Sequence, residues 1–408
     1  MTPSFPLDGL KVIDFSHALA GPYCTMLMAA YGADVVKVEG IETGDIGRSW
    51  APPFIGPEGS FFLGLNSGKQ AIAIDLKSTE GLALCRQLVA GADVVIENFR
   101  PGTMERLGLG YGAAAATNPR VIYCSISGYG QTGPRRDDPA MDLILQAASG
   151  LISVTGSAEG NTARCGHSVA DVTAGMFGLI GILMALKTRA GTGRGQQVDI
   201  SMLDGMISVM ASNFANLFGS GRVPGPMGTA FATIVPYACF PTADRDIAVA
   251  VASDKLWRAF CEVIERPDIA ADSRFATNAL RVEHRGTLEP LIGAIFRTRP
   301  ATEWLAALAG HGVPCAPVND LAEVAADPQS AARGMFPVIE HPTAGPIRVT
   351  GTPIKFSESR GEIRSPAPRL GEHSRTILRE RLGVAPADIE RLIAEGVVAA
   401  CSANQPSS

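Results

Sequence analysis

The stretch Ser168-Val-Ala-Asp171-Val-Thr-Ala-Gly175-Met-Phe-Gly178-Leu-Ile-Gly181-Ile-Leu-Met-Ala-Leu186 decides how the rest of the chain is read. The 15 residues from Val172 to Leu186 carry no charge. Apolar on every side, the run predicts a buried helix, and its length is below the roughly 20 residues needed to cross a bilayer. Gly175, Gly178 and Gly181 fall three apart and so share one helical stripe. Each costs roughly 1 kcal/mol relative to alanine inside a helix, so another backbone is expected to lie close against them. Asp171 stands where the helix begins. It is read either as an N-cap accepting the first free N–H groups, or as a reactive carboxylate held ionised by the positive helix end beside a dry interior.

The flanking sequence sets the fold class. Lys11–Phe15, Asp34–Glu39, Ala71–Leu76, Asp93–Phe99 and Val121–Ser127 read as short, continuous β-branched strands. Helical patterns alternate with them at Gly21–Tyr31 and Thr79–Ala90, while residues 40–68 read as loop. That alternation predicts an α/β fold whose parallel sheet is covered on both faces, with ligands gathering at the carboxyl ends of the strands. Beyond the glycine helix, Val198–Ile200 reads as a strand and Met202–Phe218 as one apolar helix. The expected organisation is residues 1–190 as the first part of a large domain, 191–229 as linker and 230–320 as a small α+β domain. Residues 321–408 then return to the large domain, with 397–408 as a frayed tail.

Composition narrows the function. The chain has 408 residues, 46% of them hydrophobic and 18% charged, with a net charge of -5. It lacks the basic cluster that nucleic acid requires. The eight cysteines are scattered without a C-x-x-C pair, and the start of the chain shows no charged-then-apolar leader. A cytoplasmic protein with reduced thiols, bound to neither membrane nor nucleic acid, is expected. The six histidines show no H-x-x-x-H spacing, so no metal site is expected. Gly128-Tyr-Gly-Gln-Thr-Gly133 matches a dinucleotide-binding pattern after a strand, yet Pro-Arg-Arg-Asp-Asp-Pro follows and cannot open the required helix. It reads as a glycine-rich loop able to cover a reacting group. Asn98-Phe99-Arg100, with Arg106 nearby, lies past a strand end. It reads either as a solvated turn or as an aromatic for adenine with arginines for phosphate.

Taken in order, Asp14-Phe-Ser-His-Ala-Leu-Ala-Gly-Pro22, Gly32-Ala-Asp-Val-Val-Lys-Val-Glu39, Gly44-Asp45, Asn66-Ser-Gly-Lys69 and Asp75-Leu-Lys77 form a recognisable series. Glu97-Asn-Phe-Arg-Pro-Gly102, Gly128-Tyr-Gly-Gln-Thr-Gly-Pro134, Asp171-Val-Thr-Ala-Gly175, Gly193-Arg-Gly-Gln196 and Gly371-Glu-His373 continue it. The ordered set resembles the family III CoA-transferases, the group of formyl-CoA and carnitine CoA-transferases. The resemblance implies a Rossmann-like large domain built from both chain ends and two subunits interlocked as a homodimer, whose backbones would meet at the glycine stripe. It implies CoA thioesters as substrates with no permanently bound cofactor, and Asp171 as a nucleophile passing through a mixed anhydride and an aspartyl-CoA thioester. CoA contacts carry over to Leu19, Ala20, Ile74, Asp75, Leu76, Lys77, Asn98, Phe99, Arg100, Arg106, Ser127, Gly128 and Tyr129. Gly40 and Ser127 stand where formyl-CoA transferase has arginine and lysine, so Arg48, Lys77 or Arg100 is expected to substitute. His17, Arg48 and Arg164 are expected to face the second carboxylate of a dicarboxylic acid. The rival reading is a 2-methylacyl-CoA racemase, which needs a histidine where Met141 stands.

Overall fold

The computed structural model describes residues 4–401. The chain forms two compact units. The larger contains residues up to Ser149, Cys165–Ala215 and Pro328 onward; the smaller contains Gly150–Arg164 and Asn216–Asp327. Residues 150–164 therefore group with the smaller unit, although the sequence reading placed them in the large domain.

In the larger unit, chain order runs β1 (Lys11–Asp14), α1 (Ala20–Ala30), β2 (Asp34–Glu39), β3 (Gln70–Ile74), α2 (Thr79–Ala90), β4 (Val94–Glu97), β5 (Ile122–Ser127) and α3 (Asp142–Ala148). It continues with α4 (Val169–Thr192), β6 (Gln197–Ser201) and α5 (Met202–Val209). In the smaller unit, β7 (Tyr237–Pro241), β8 (Asp246–Ala250) and β9 (Cys315–Pro317) form an antiparallel sheet. Its helices, including Asp254–Val263, Arg285–Phe296 and Ala301–Gly310, bury Trp257, Phe260, Phe296 and Trp304 in a separate core.

Strand β10 (Val398–Ala399) completes the large sheet, whose order is β10-β3-β2-β1-β4-β5-β6. All pairs are parallel except β10 on β3. Part of the segment expected to be a frayed tail is thus an edge strand, and residues 402–408 lie outside the described residues. The strand read at Val198–Ile200, inside the expected 191–229 linker, is β6, where the alternating Gln197-Val-Asp-Ile-Ser201 pairs with the open edge of β5 and joins the linker to the large sheet. The apolar run after β6 breaks at Met210 into Met202–Val209 and Ala211–Ser220. Residues 40–68 also hold more structure than a loop: a hairpin of Phe54–Ile55 with Glu58–Gly59, and a helical turn at Ser60–Leu63. Counted outward from the centre, the strands run 1-2-3 on one side and 4-5-6 on the other. The connections therefore change direction between β1 and β4, which opens a crevice at the carboxyl ends of those two strands.

The glycine helix α4 has 24 residues, long enough by itself to span a bilayer and longer than its sequence signal predicted. Its glycine stripe, however, is buried within its own chain. A methyl group at Gly175 would lie 2.6 Å from the Ala20 carbonyl oxygen, and one at Gly181 would lie 2.7 Å from Val198 Cγ1. Gly178 faces Ile126, Cys24 and Cys124. The seam expected between two interlocked subunits is therefore the contact of α4 with α1 and the sheet. Gly175→Ala should lower stability by about 1–2 kcal/mol, because a backbone oxygen cannot swing aside and the overpacking outweighs the gain in helix propensity. Gly191, in the same helix with open space around it, should show the opposite sign: Gly191→Ala should stabilise by about 0.5–1 kcal/mol. Urea titrations of the two variants check this.

Candidate active site

The carboxyl edge of the sheet gathers buried acids. Asp14, Glu39 and Glu97 end β1, β2 and β4 and are almost wholly buried. Lys69 Nζ donates to Asp14 at 3.1 Å, to the Pro22 carbonyl at 3.0 Å and to Asn66 Oδ1 at 2.7 Å. Burial disfavours the Asp14 carboxylate, but Lys69, Lys37 and the Ser16 and Thr25 hydroxyls outweigh it and hold its pKa well below the usual range. Lys69 is pushed down to about 8 by burial, with Lys37 adding repulsion that Asp14 offsets only in part. Glu97 has no such cation, and burial raises its pKa to about 7.

These charges hold the turn after β1. Lys37 Nζ donates to the Ser16 carbonyl at 2.6 Å and pairs with Asp45 at 2.8 Å. Asp45 accepts the Ala18 N–H at 2.8 Å, and Ala18 sits in the left-handed region at φ 64°, an uncommon conformation for alanine. Asn98 Oδ1 accepts the His17 N–H, and Asn98 Nδ2 donates to the His17 carbonyl, both at 2.8 Å. The turn is thus tied to β2 and β4 at once, and the His17 ring lies against Phe99, centroids 5.3 Å apart. Burial lowers the His17 pKa, with Lys37 as the next cause.

The candidate CoA positions follow the same edge. Ile74 is buried, and the turn Asp75–Lys77 leaves Lys77 exposed, its N–H donating to Asp75 Oδ1 at 2.9 Å. Arg100 is exposed, as is Arg106, which donates to Thr103 at 3.0 Å. The side chains of Leu19 and Ala20 are buried, as is that of Ser127, whose hydroxyl has no hydrogen-bond partner among the described residues. Two expectations change. Arg48 does not face open space: it binds Glu39 with two bonds of 2.8 and 2.7 Å, donates to the Pro368 carbonyl and lies over the Phe62 ring. Its charge neutralises a buried glutamate, which leaves little of it for a phosphate or a second carboxylate. The Gly128–Gly133 loop is fastened rather than free. Gly128 O accepts the Leu203 N–H, Asp199 accepts the Gln131 N–H, and Arg135 covers Tyr129 at 4.0 Å. Arg164 belongs to the smaller unit.

Asp171 is the third residue of α4, and Ser168 occupies the N-cap position without a side-chain cap bond. The capping role expected of Asp171 belongs to Asp142 of α3, whose Oδ1 accepts the Ala170 N–H at 2.9 Å. Gln146 donates to Asp142 at 2.6 Å and accepts the Cys165 N–H at 2.8 Å, which fixes the approach to α4. Residues 171 and 175 share a helix face, and Gly175 abuts Ala20 and the Tyr23 ring. Asp171 is therefore on the side of α4 that meets the turn after β1. Its carboxyl is not held ionised as expected: burial first, and then the Asp142 charge, push its pKa up to about 7. Asp142 lies 29 positions away in a segment the sequence marked only by Met141, and no local signal points to it.

A carboxyl with this pKa gains its nucleophilic form as pH rises through about 7. The kcat/KM of the free enzyme should therefore climb with pH below that value and level above it. Asp142→Asn keeps an acceptor for Ala170 but removes the like charge, so the plateau should begin at lower pH. An unmoved profile would show that Asp142 does not tune Asp171.

Residues 7–374 match the family model described as CoA-transferase family III. The chain is 35% identical to the succinyl-CoA:glutarate CoA-transferase of Mus musculus over 96% of this chain and 90% of that protein. It is 39% identical to the succinate–glutarate CoA-transferase of Agrobacterium fabrum over 92% and 95%. Among solved structures it resembles a CaiB/BaiF family protein from Brucella suis, with 38% identity, a TM-score of 0.83, and coverage of 93% of this chain and all of that one. The matches run nearly end to end over the strand-edge turns and the Asp171 helix described above: the chain belongs to CoA-transferase family III and is an enzyme of that family.

Proposed function

We propose that the protein moves CoA from an acyl-CoA donor to a dicarboxylic acid through Asp171. The Asp171 carboxylate attacks the donor thioester carbonyl, the C–S bond breaks, and a mixed anhydride and CoA thiolate result. The thiolate attacks the aspartyl carbonyl, giving an aspartyl-CoA thioester and the free donor acid. The acceptor carboxylate attacks that thioester and expels the thiolate again. The thiolate then closes on the acceptor carbonyl and restores Asp171. No net proton is exchanged, so the residue needs no partner base. The observation that carries this reading is the position of Asp171, a partly buried carboxyl in the first turn of α4 on the face that meets the turn after β1. Partial burial keeps water scarce around the anhydride.

CoA lies along the carboxyl edge in this reading, with exposed Lys77, Arg100 and Arg106 near its phosphates and the tilted Phe99 and His17 rings beside it. The Ser127 hydroxyl, buried without a partner at the end of β5, lies next to this edge. The racemase alternative finds no support, because Met141 is 62% exposed and carries no titratable group. A homodimer is part of the proposal: Met176, Ile180, Leu183 and Met184 form an exposed apolar stripe on α4, and Ile207 is exposed on α5. Dicarboxylates are favoured because relatives are named as acting between succinyl-CoA and glutarate or mesaconate. Mass spectrometry of CoA products from paired acids and acyl-CoA donors tests this. Glutarate or a similar diacid should gain CoA from succinyl-CoA, and exclusive use of monocarboxylates would overturn the substrate class.

A further inference from the structure

We infer that the larger unit also carries an apolar acyl subsite, through which the enzyme passes CoA to unbranched apolar monocarboxylates as well as to dicarboxylates. The inference rests on the CoA-transfer reading above. A cavity of about 410 Å³ opens between α1, the segment 60–65, α4 and the returning chain. That size lies within the range of small-molecule sites. Its walls are Leu19, Tyr23, Met26, Phe61, Leu65 and Val172.

Two features choose the occupant. No Lys, Arg, Asp or Glu lines the cavity, and its polar groups are the Tyr23, Ser60 and Thr350 hydroxyls and His167. A carboxylate at the far end of a diacid would lose water there without meeting a fixed positive charge, which is costly. A hydrocarbon chain gains by the same burial. The position is also right for an acyl group. Val172 follows Asp171 directly, and Tyr23, on the cavity wall, is the ring that Gly175 abuts one turn further along α4. Leu19, another wall residue, belongs to the turn proposed to meet CoA. An acid whose carboxylate attacks the aspartyl-CoA thioester can therefore lay its chain in this cavity while the thiolate leaves toward the strand edge. The bonds made and broken are those of the exchange already described, with no further reactant.

Leu65 lines the cavity but takes no part in the proposed machinery. With succinyl-CoA as donor, the wild-type enzyme should accept hexanoate. Leu65→Trp should lower kcat/KM for hexanoate by roughly tenfold or more, the effect of losing one or two methylene sites, and change that for glutarate by less than about twofold. Leu65→Ala should shift preference toward octanoate, and serves if the tryptophan variant does not fold. Transfer to glutarate but not hexanoate would overturn the subsite. Equal losses for both acids, accompanied by a change in oligomeric state on gel filtration, would assign the cavity to packing between copies of the chain and overturn it as well. Absence of transfer to either acid would overturn the CoA-transfer reading itself, and the subsite with it.

Discussion

Asp171→Asn is expected to abolish CoA transfer while making the protein more stable above pH 7. The activity loss should reach at least about a thousandfold, because an amide cannot form the anhydride and no neighbouring group repeats its role. The stability gain comes from the environment of the carboxyl. Its pKa is raised from 3.8 to about 7 in the folded protein, so between those values the native state holds a proton that the unfolded chain has released. Stability therefore falls as pH rises through that window, and the full penalty persists above it. A shift of this size corresponds to about 4 kcal/mol at most, and the partial exposure of Asp171 reduces it to about 1–3 kcal/mol. Thermal melts should show the asparagine variant clearly more stable at pH 8 and nearly level with wild type at pH 4. Asp171→Ala should lose transfer equally. Transfer near the wild-type rate in either variant would remove Asp171 from the mechanism, whereas lost activity together with lost stability would point to misfolding.

Lys69→Met is expected to cost about 3–5 kcal/mol, the largest single loss of stability expected in the fold. The side chain is almost fully buried, and its ammonium meets Asp14, Asn66 and the Pro22 carbonyl. Removing it leaves the Asp14 carboxylate, buried at the end of β1, with Lys37 as its remaining cation. The cost is that of an under-compensated charge rather than the worth of the pair. The double variant Asp14→Leu/Lys69→Met should therefore recover much of the loss, and urea unfolding of the double-mutant cycle measures the coupling. Additive losses would show that Lys69 acts through packing alone.

Local chemistry carried much of this structure. The charge-free run 172–186, with glycines three apart, specified a helix pressed closely against something, because helix period and glycine cost are properties of a few neighbouring residues. The β-branched runs specified parallel strands, and their ends marked the turns at Ser16–Ala20 and Asn98–Arg100. Both meet at the crevice, where Asn98 bonds both peptide groups of His17.

What sequence could not decide were matters of partnership. Arg48 looked available to a ligand, yet Glu39, nine residues earlier, takes its guanidinium, and which carboxylate captures a cation depends on where two loops come to rest. The glycine stripe called for a close neighbour without identifying it; folding placed Ala20 and Val198 there. Val198–Ile200 read as a strand within a linker, but its partner was not legible; folding set it on the free edge of β5. Asp171 was legible as a carboxylate at the head of a helix. That it is poised near neutral pH was not, because desolvation and the charge of Asp142 act through space between segments distant along the chain. The sequence alone determined most of the strands of the parallel sheet and the buried helix with an aspartate at its head, which follow from short-range pattern, while the role of nucleophile came to Asp171 only through the family resemblance. Only the tertiary structure decided which charges are paired, which are left to titrate and which surfaces remain open, because burial and Coulomb interactions depend on distance in space.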